Sequence, residues 1–177
     1  MSSVGSAIRI TLFTASLTTV AALAQQPSTV PTGPVPPAIL NAKTVFVSNA
    51  GADSGLFPEP FSGEPSRGYS EFYSDLKATG QFELVGDPGS ADLVLELELT
   101  APKGPTNPNK QNGASDPLPM FRLVICDTKT HYVLWTLTES VEIAFLQKTH
   151  DRNFDNALLV LVDDFAALSG KRTAAPH

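Results

Sequence analysis

ADLVLELELT, residues 91–100, sets Leu93, Leu95, Leu97 and Leu99 at alternate positions with Val94, Glu96 and Glu98 between them. Side chains alternate across a strand, so this spacing sends the leucines to one face and the two carboxylates to the other. One buried face and one wet face are the mark of an antiparallel sheet with an open side. Paired carboxylates also serve glycoside hydrolysis, but there the acids stand on opposite sides of the bond they cleave. Glu96 and Glu98 are neighbours on a single strand face and read as solvated surface.

Downstream, FRLVICDTKTHYVLWTLTESVE, residues 121–142, holds two apolar, branched and aromatic runs around a polar turn. Met120 to Cys126 and Tyr132 to Ser140 read as strands, and Asp127 and the threonines that follow it are placed to bond their own backbone. The stretch is a β-hairpin. If its loop holds four residues, Asp127 faces Tyr132 and His131 takes the left-handed conformation; the sequence leaves this register open. Cys126 is the one cysteine, so no intramolecular disulfide forms. No histidine is set beside it to lower its pKa, and it reads as a small buried hydrophobe. Trp135 is assigned to the core.

Thr44 to Ser48, TVFVS, is a first strand, and the following GADSGLFPEPFSGEPS is loop. In SRGYSEFYSDLKATG, residues 66–80, Tyr69, Phe72, Tyr73 and Leu76 fall on one helical stripe, with Ser66 as candidate N-cap and Gly80 at the C-cap. Phe82 to Val85 is a short strand. Towards the carboxyl end Phe154, Leu158, Leu161, Phe165 and Leu168 recur at helical spacing, and Gly170 with Lys171 marks the stop. Asp151 and Asp155 near the start suit the positive end of the helix dipole.

Thr149-His150-Asp151-Arg152-Asn153 is the densest polar cluster in the chain. A His–Asp pair there would need a nucleophile and an oxyanion site to hydrolyse anything, and no GxSxG, HExxH or CxxC accompanies it. A zinc site from His150, Asp151 and a distant partner has no ligand spacing behind it. Thr149, Asp151 and Asn153 therefore read as caps of the last helix, and no catalytic, cofactor-binding or metal-binding residue is assigned. The fold class is α+β: a single antiparallel sheet, with a mixed one left open, of four to five strands and two helices packed on one face.

The ends and breaks of the chain are compositional. Met1 to Ala24 has one charge, Arg9, then an apolar run from Ile10 and the small residues Ala22-Leu23-Ala24, which reads as a secretory signal cleaved after Ala24. The run is shorter than the roughly 20 apolar residues of a spanning helix, so no transmembrane segment is expected after cleavage. Residues 25–42 are a Pro-rich, disordered tether, residues 43–170 one domain, and residues 171–177 a disordered tail. Residues 101–119, APKGPTNPNKQNGASDPLP, are a flexible surface loop that is neither helix nor interior strand. The formal net charge of −6, without a Lys/Arg run, argues against nucleic acid as a partner.

FELVGDPGSADLVLELELTAP together with LVICDTKTHYVLWTLTESVEIAFLQKTHDRNFDNALLVLVDDFAAL resembles a group of uncharacterised secreted envelope proteins of bacteria, over roughly Lys43 to Leu168. That resemblance implies no activity. The order of elements is also similar to the amino-terminal domain of the Tol–Pal translocation protein and to penicillin-binding-protein activator lipoproteins, a likeness of fold only. The expectation is a periplasmic or secreted, non-catalytic interaction domain whose partner is another envelope protein. The alternative is an envelope hydrolase or transferase using loop 101–119 and the His150 to Asn153 turn. Amino-terminal sequencing of the exported protein is expected to begin at Gln25; a cytoplasmic chain that keeps Met1 would refute the signal.

Overall fold

The central strand of the molecule is the leucine strand. In the computed structural model, which describes residues 33–106 and 115–171, it is β3, Leu93–Thr100, with every leucine buried and the residues between them half-exposed. The other strands of its sheet are β1 (Thr44–Ala52), β2 (Glu83–Leu84), β6 (Met120–Asp127) and β7 (Val133–Ser140), in the order β2-β1-β3-β6-β7. The signal of residues 1–24, the tether as far as residue 32, residues 107–114 and the tail from residue 172 lie outside the described residues.

The sheet is mixed rather than antiparallel. β1 runs parallel to both β2 and β3, while β3–β6 and β6–β7 are antiparallel. Parallel neighbours cannot be joined by a tight turn and need a crossover, which the helix after β1 provides. The register at this junction is pinned by Asp92, whose carboxylate accepts the amides of Lys43 and Thr44 at 2.8 and 3.1 Å. These bonds hold the carboxyl below its ordinary pKa.

That crossover helix is α2, Arg67–Thr79, which lies over β1 and β3. Phe72 and Leu76 of its stripe are fully buried and Tyr69 and Tyr73 half-buried against the core. Gly80 closes it in the left-handed conformation, φ 63°, as expected. Ser66 does not cap it: its own backbone is already helical and its side chain makes no capping bond. The last helix, α3, runs Gln147–Leu168 over β6 and β7 and beside α2. Phe154, Leu158, Leu161, Phe165 and Leu168 are all buried, and Phe154 meets Phe121 of β6 edge-on at 4.9 Å between ring centres.

Two expectations about the margins change. Within the span read as tether, a third helix, α1, runs Pro37–Asn41, and its Ile39 is fully buried. At the other end Lys171 reaches back to the Ala42 carbonyl and sits 3.9 Å above the Phe82 ring, so Lys171 packs with the domain. Trp135 packs against the border of the core and is half-buried, because β7 is the edge strand and its helix-facing side chains are incompletely covered.

The hairpin has its four-residue loop. The Asp127 amide donates to the Tyr132 carbonyl at 3.0 Å, the Asp127 carboxylate accepts the Lys129 amide at 2.7 Å, and His131 is left-handed at φ 59°. The described parts of residues 101–119 include two short strands. Lys103–Thr106 (β4) pairs antiparallel with Ser115–Pro117 (β5) as a two-stranded ribbon outside the main sheet. At Gly104 an added Cβ would stand 2.5 Å from the Asp116 carbonyl oxygen, so the two chains approach too closely for any side chain there.

Because Leu161 is fully buried in the stripe of α3, Leu161→Ala is expected to cost about 2–5 kcal/mol through the cavity it leaves. Asp163→Ala, on the exposed side of the same helix, is expected to stay within about 0.5 kcal/mol. Urea unfolding of the two variants checks this, and equal small losses would refute the packing of α3.

Candidate binding groove

The polar cluster before the last stripe does not cap α3. Helix α3 begins at Gln147, two residues before Thr149, and its N-cap, Leu146, has no side-chain bond to give. The Leu146 carbonyl already receives the amides of Thr149 and His150 at 2.9 and 3.0 Å, so the cluster lies inside the helix. Its side chains reach sideways instead, to the loop between β1 and α2 and to the segment leaving β7.

His150 stands between these two segments. Its Nδ1 lies 2.9 Å from the Pro60 carbonyl oxygen and its Nε2 against the Ala144 carbonyl oxygen. Both ring nitrogens are thus turned to backbone carbonyl oxygens. Neither nitrogen is free to serve as a general base. Gln147 donates to the same Pro60 carbonyl at 2.8 Å, and Asn153 donates to the Glu142 carbonyl at 3.0 Å.

Arg67 makes the second tie. Its guanidinium pairs with Glu71 and Asp151, each at 2.8 Å, and with Asp155, and it lies 4.5 Å above the Phe154 ring. Burial alone would lower its pKa; the carboxylates outweigh that and raise it. For Asp151, partial burial pushes the carboxyl up, but the Ser62 amide at 2.9 Å and the Arg67 guanidinium prevail and hold it at about 2. Glu71 moves the other way, raised by burial and by Asp155 despite Arg67.

What these ties hold in place is the wall of a groove. A cavity of about 650 Å³ opens between residues 116–120, which return from the ribbon, and residues 140–143, which leave β7; Pro60 and Pro102 complete the lining. The lining is chiefly apolar, with Leu118, Met120, Val141 and Ile143 contributing. Phe145, beyond Ile143, is 98% exposed, and Leu146 follows it at 63%. Pro102 and residues 116–119 thus meet, at one end of the sheet, the segments tied by Gln147, His150 and Asn153 of α3. The sequence did not single out Phe145; the signal was an apolar IAFL run, residues 143–146, that continues no strand or helix stripe.

The other candidate residues stay apart. Glu96 and Glu98 lie on the open face, Glu98 3.7 Å from Arg122 with both side chains well exposed, a pair of little energetic weight. Burial and the neighbouring Glu96 carboxylate push the Cys126 thiol up, away from the reactive thiolate. His131 belongs to the hairpin turn. Among the described residues, no group of three or more His, Cys, Asp and Glu is placed to hold a metal ion, and no helix is long and apolar enough to cross a membrane.

No family model matches the chain, and no curated protein matches it. Solved structures do. PelC from Paraburkholderia phytofirmans, described as a dodecamer, is 15% identical, with 73% of this chain and 94% of that one covered and a TM-score of 0.37. A DUF330 protein from Xanthomonas campestris is 12% identical over 73% and 86% of the two chains, TM-score 0.42. An uncharacterised lipoprotein B from Nitrosomonas europaea is 12% identical over 75% and 84%, TM-score 0.36. The neighbours include uncharacterised bacterial proteins, as the sequence resemblance does. Values this low transfer no residue, ligand or assembly to this chain.

The low pKa of Asp151 makes the loop tie acid-sensitive. A carboxylate whose folded value lies below its ordinary 3.8 stabilises the fold above that value and loses the contribution as the pH falls towards about 2. Asp151→Asn is expected to remove roughly 1–2 kcal/mol at neutral pH and to flatten the stability curve between about pH 4 and 2. Urea unfolding across that range measures both; a variant with the unchanged acid limb would place the sensitivity elsewhere.

Proposed function

We propose that the protein is a non-catalytic interaction domain, exported to the periplasm or secreted, that receives an apolar segment of another envelope protein in the groove beside Phe145. The observation that carries this reading is the groove itself. An apolar cleft lined by Leu118 and Ile143, with Phe145 and Leu146 exposed in the chain just beyond Ile143, costs free energy in water and is compensated when a partner covers it. The signal read at Met1 to Ala24 supports export. The likeness in fold to the amino-terminal Tol–Pal domain and to penicillin-binding-protein activator lipoproteins belongs to the same reading and names no partner.

The enzymatic alternative needs a base at His150 and a nucleophile near it. His150 is committed at both ring nitrogens to carbonyls, and the groove lining holds no Ser–His or Cys–His pair.

Photo-crosslinking groups placed at Leu118, Ile143 and Phe145 in cells are expected to capture one common envelope protein, and a group at Glu83 on the far edge is expected to miss it. Leu118→Asp is expected to weaken capture by roughly tenfold or more without altering the circular dichroism spectrum. Failure of the groove positions to converge on one protein would overturn the reading. So would turnover of an ester, glycoside, peptide or phosphate substrate that His150→Ala abolishes in a folded protein.

A further inference from the structure

The two edges of the sheet are unequal. At one, β2 pairs with β1 through only Thr44–Glu83 and Val45–Leu84. At the other, β7 runs eight residues, Val133–Ser140, and no described strand pairs with its outer side. Long open edges invite another strand, and proteins usually blunt them with lysine, proline or an inward charge. Of these devices β7 carries one, the inward Glu139 opposite Phe121, and it has no lysine and no proline.

The groups on offer follow from the register. Phe121–Glu139, Leu123–Leu137 and Ile125–Trp135 face each other, and the Val141 amide donates to the Pro119 carbonyl at 2.8 Å, so the odd-numbered residues bond inward to β6. Backbone direction alternates along a strand. Thr136, Thr138 and Ser140 therefore turn their N–H and C=O groups outward, and all three are exposed.

We propose that β7 pairs antiparallel with β7 of a second copy of this chain about a two-fold axis. Two observations fit a second copy of the chain as the occupant. Head-to-tail growth needs two usable edges, and β2 is too short to be one, so edge pairing between copies closes at two. The ends of β7 are also complementary. Tyr132 and Val133 at its start are 73% and 61% exposed, and Ile143 just past its end is 46% exposed. A two-fold axis near Leu137 brings the start of each strand to the end of the other, so the apolar residues at one end cover those at the other. Ile143 also lines the groove, but the pairing itself is made by the backbone edge at Thr136, Thr138 and Ser140, so it does not depend on the partner proposed for the groove.

Sedimentation equilibrium of the purified protein is expected to give a dimer. Thr138→Pro removes an outward N–H and is expected to weaken dimerisation by about tenfold or more. Thr136→Lys keeps every backbone group, adds an edge charge and gives the same reading should the proline variant lose its circular dichroism spectrum. Leu118→Asp, in the groove, is expected to leave the dimer intact. A monomeric wild type overturns the proposal, and slow amide exchange at Thr136 and Thr138 in that monomer would show that the chain's own residues before Gly33 cover the edge. A dimer equally tight in both folded variants overturns it as well.

Discussion

Everything in this fold is arranged around the need to cover one row of leucines. β3 sits third of five strands, and Leu93, Leu95, Leu97 and Leu99 form a continuous apolar strip at the middle of the sheet. The sheet has one layer of helices, so that strip can be buried on one side only. α2 covers it from the β1 side and α3 from the β6 side, and the aromatic contacts, Phe121 with Phe154 and Phe82 with Phe165, fall where helix meets strand. The opposite face, with Glu96, Glu98 and Arg122, is left to water.

The constraint explains where the polar chemistry went. A helix as long as α3 fixes its own position through its stripe, but the loop joining β1 to α2 and the segment joining β7 to α3 have no such stripe. Their carbonyls and amides are satisfied by side chains instead: His150 and Gln147 on Pro60, Asp151 on Ser62, Asn153 on Glu142. The residues that look most reactive in the sequence are spent on holding loop backbone. Buried backbone groups need partners, and a short dense cluster of polar side chains is one way to supply them.

Period-two and helical patterns were readable because burial follows them directly: the leucines of β3, the stripes of α2 and α3, and the two strands of the hairpin, whose register stayed open. The direction of β1 was not, because alternation specifies which face is buried and says nothing of which way a neighbour runs. The start of α3 was misplaced because Thr, Asp and Asn resemble caps wherever they precede an apolar stripe, while the backbone closes its first turn on Leu146. The ribbon at Lys103–Thr106 and Ser115–Pro117 was hidden by its prolines, which weaken the strand signal without forbidding an isolated edge pair. The groove was invisible for a different reason. Its walls come from segments far apart in sequence, and only the three-dimensional course of the chain joins them.

Lys171, in reaching the Ala42 carbonyl and the Phe82 ring, brings the carboxyl end of the domain against α1, where the chain enters it. The entry and exit points are therefore side by side. Separating α1 from the end of α3 would break the Lys171 contact together with the packing of the buried Ile39. The two ends of the described domain are clasped by an ammonium group as well as by apolar packing.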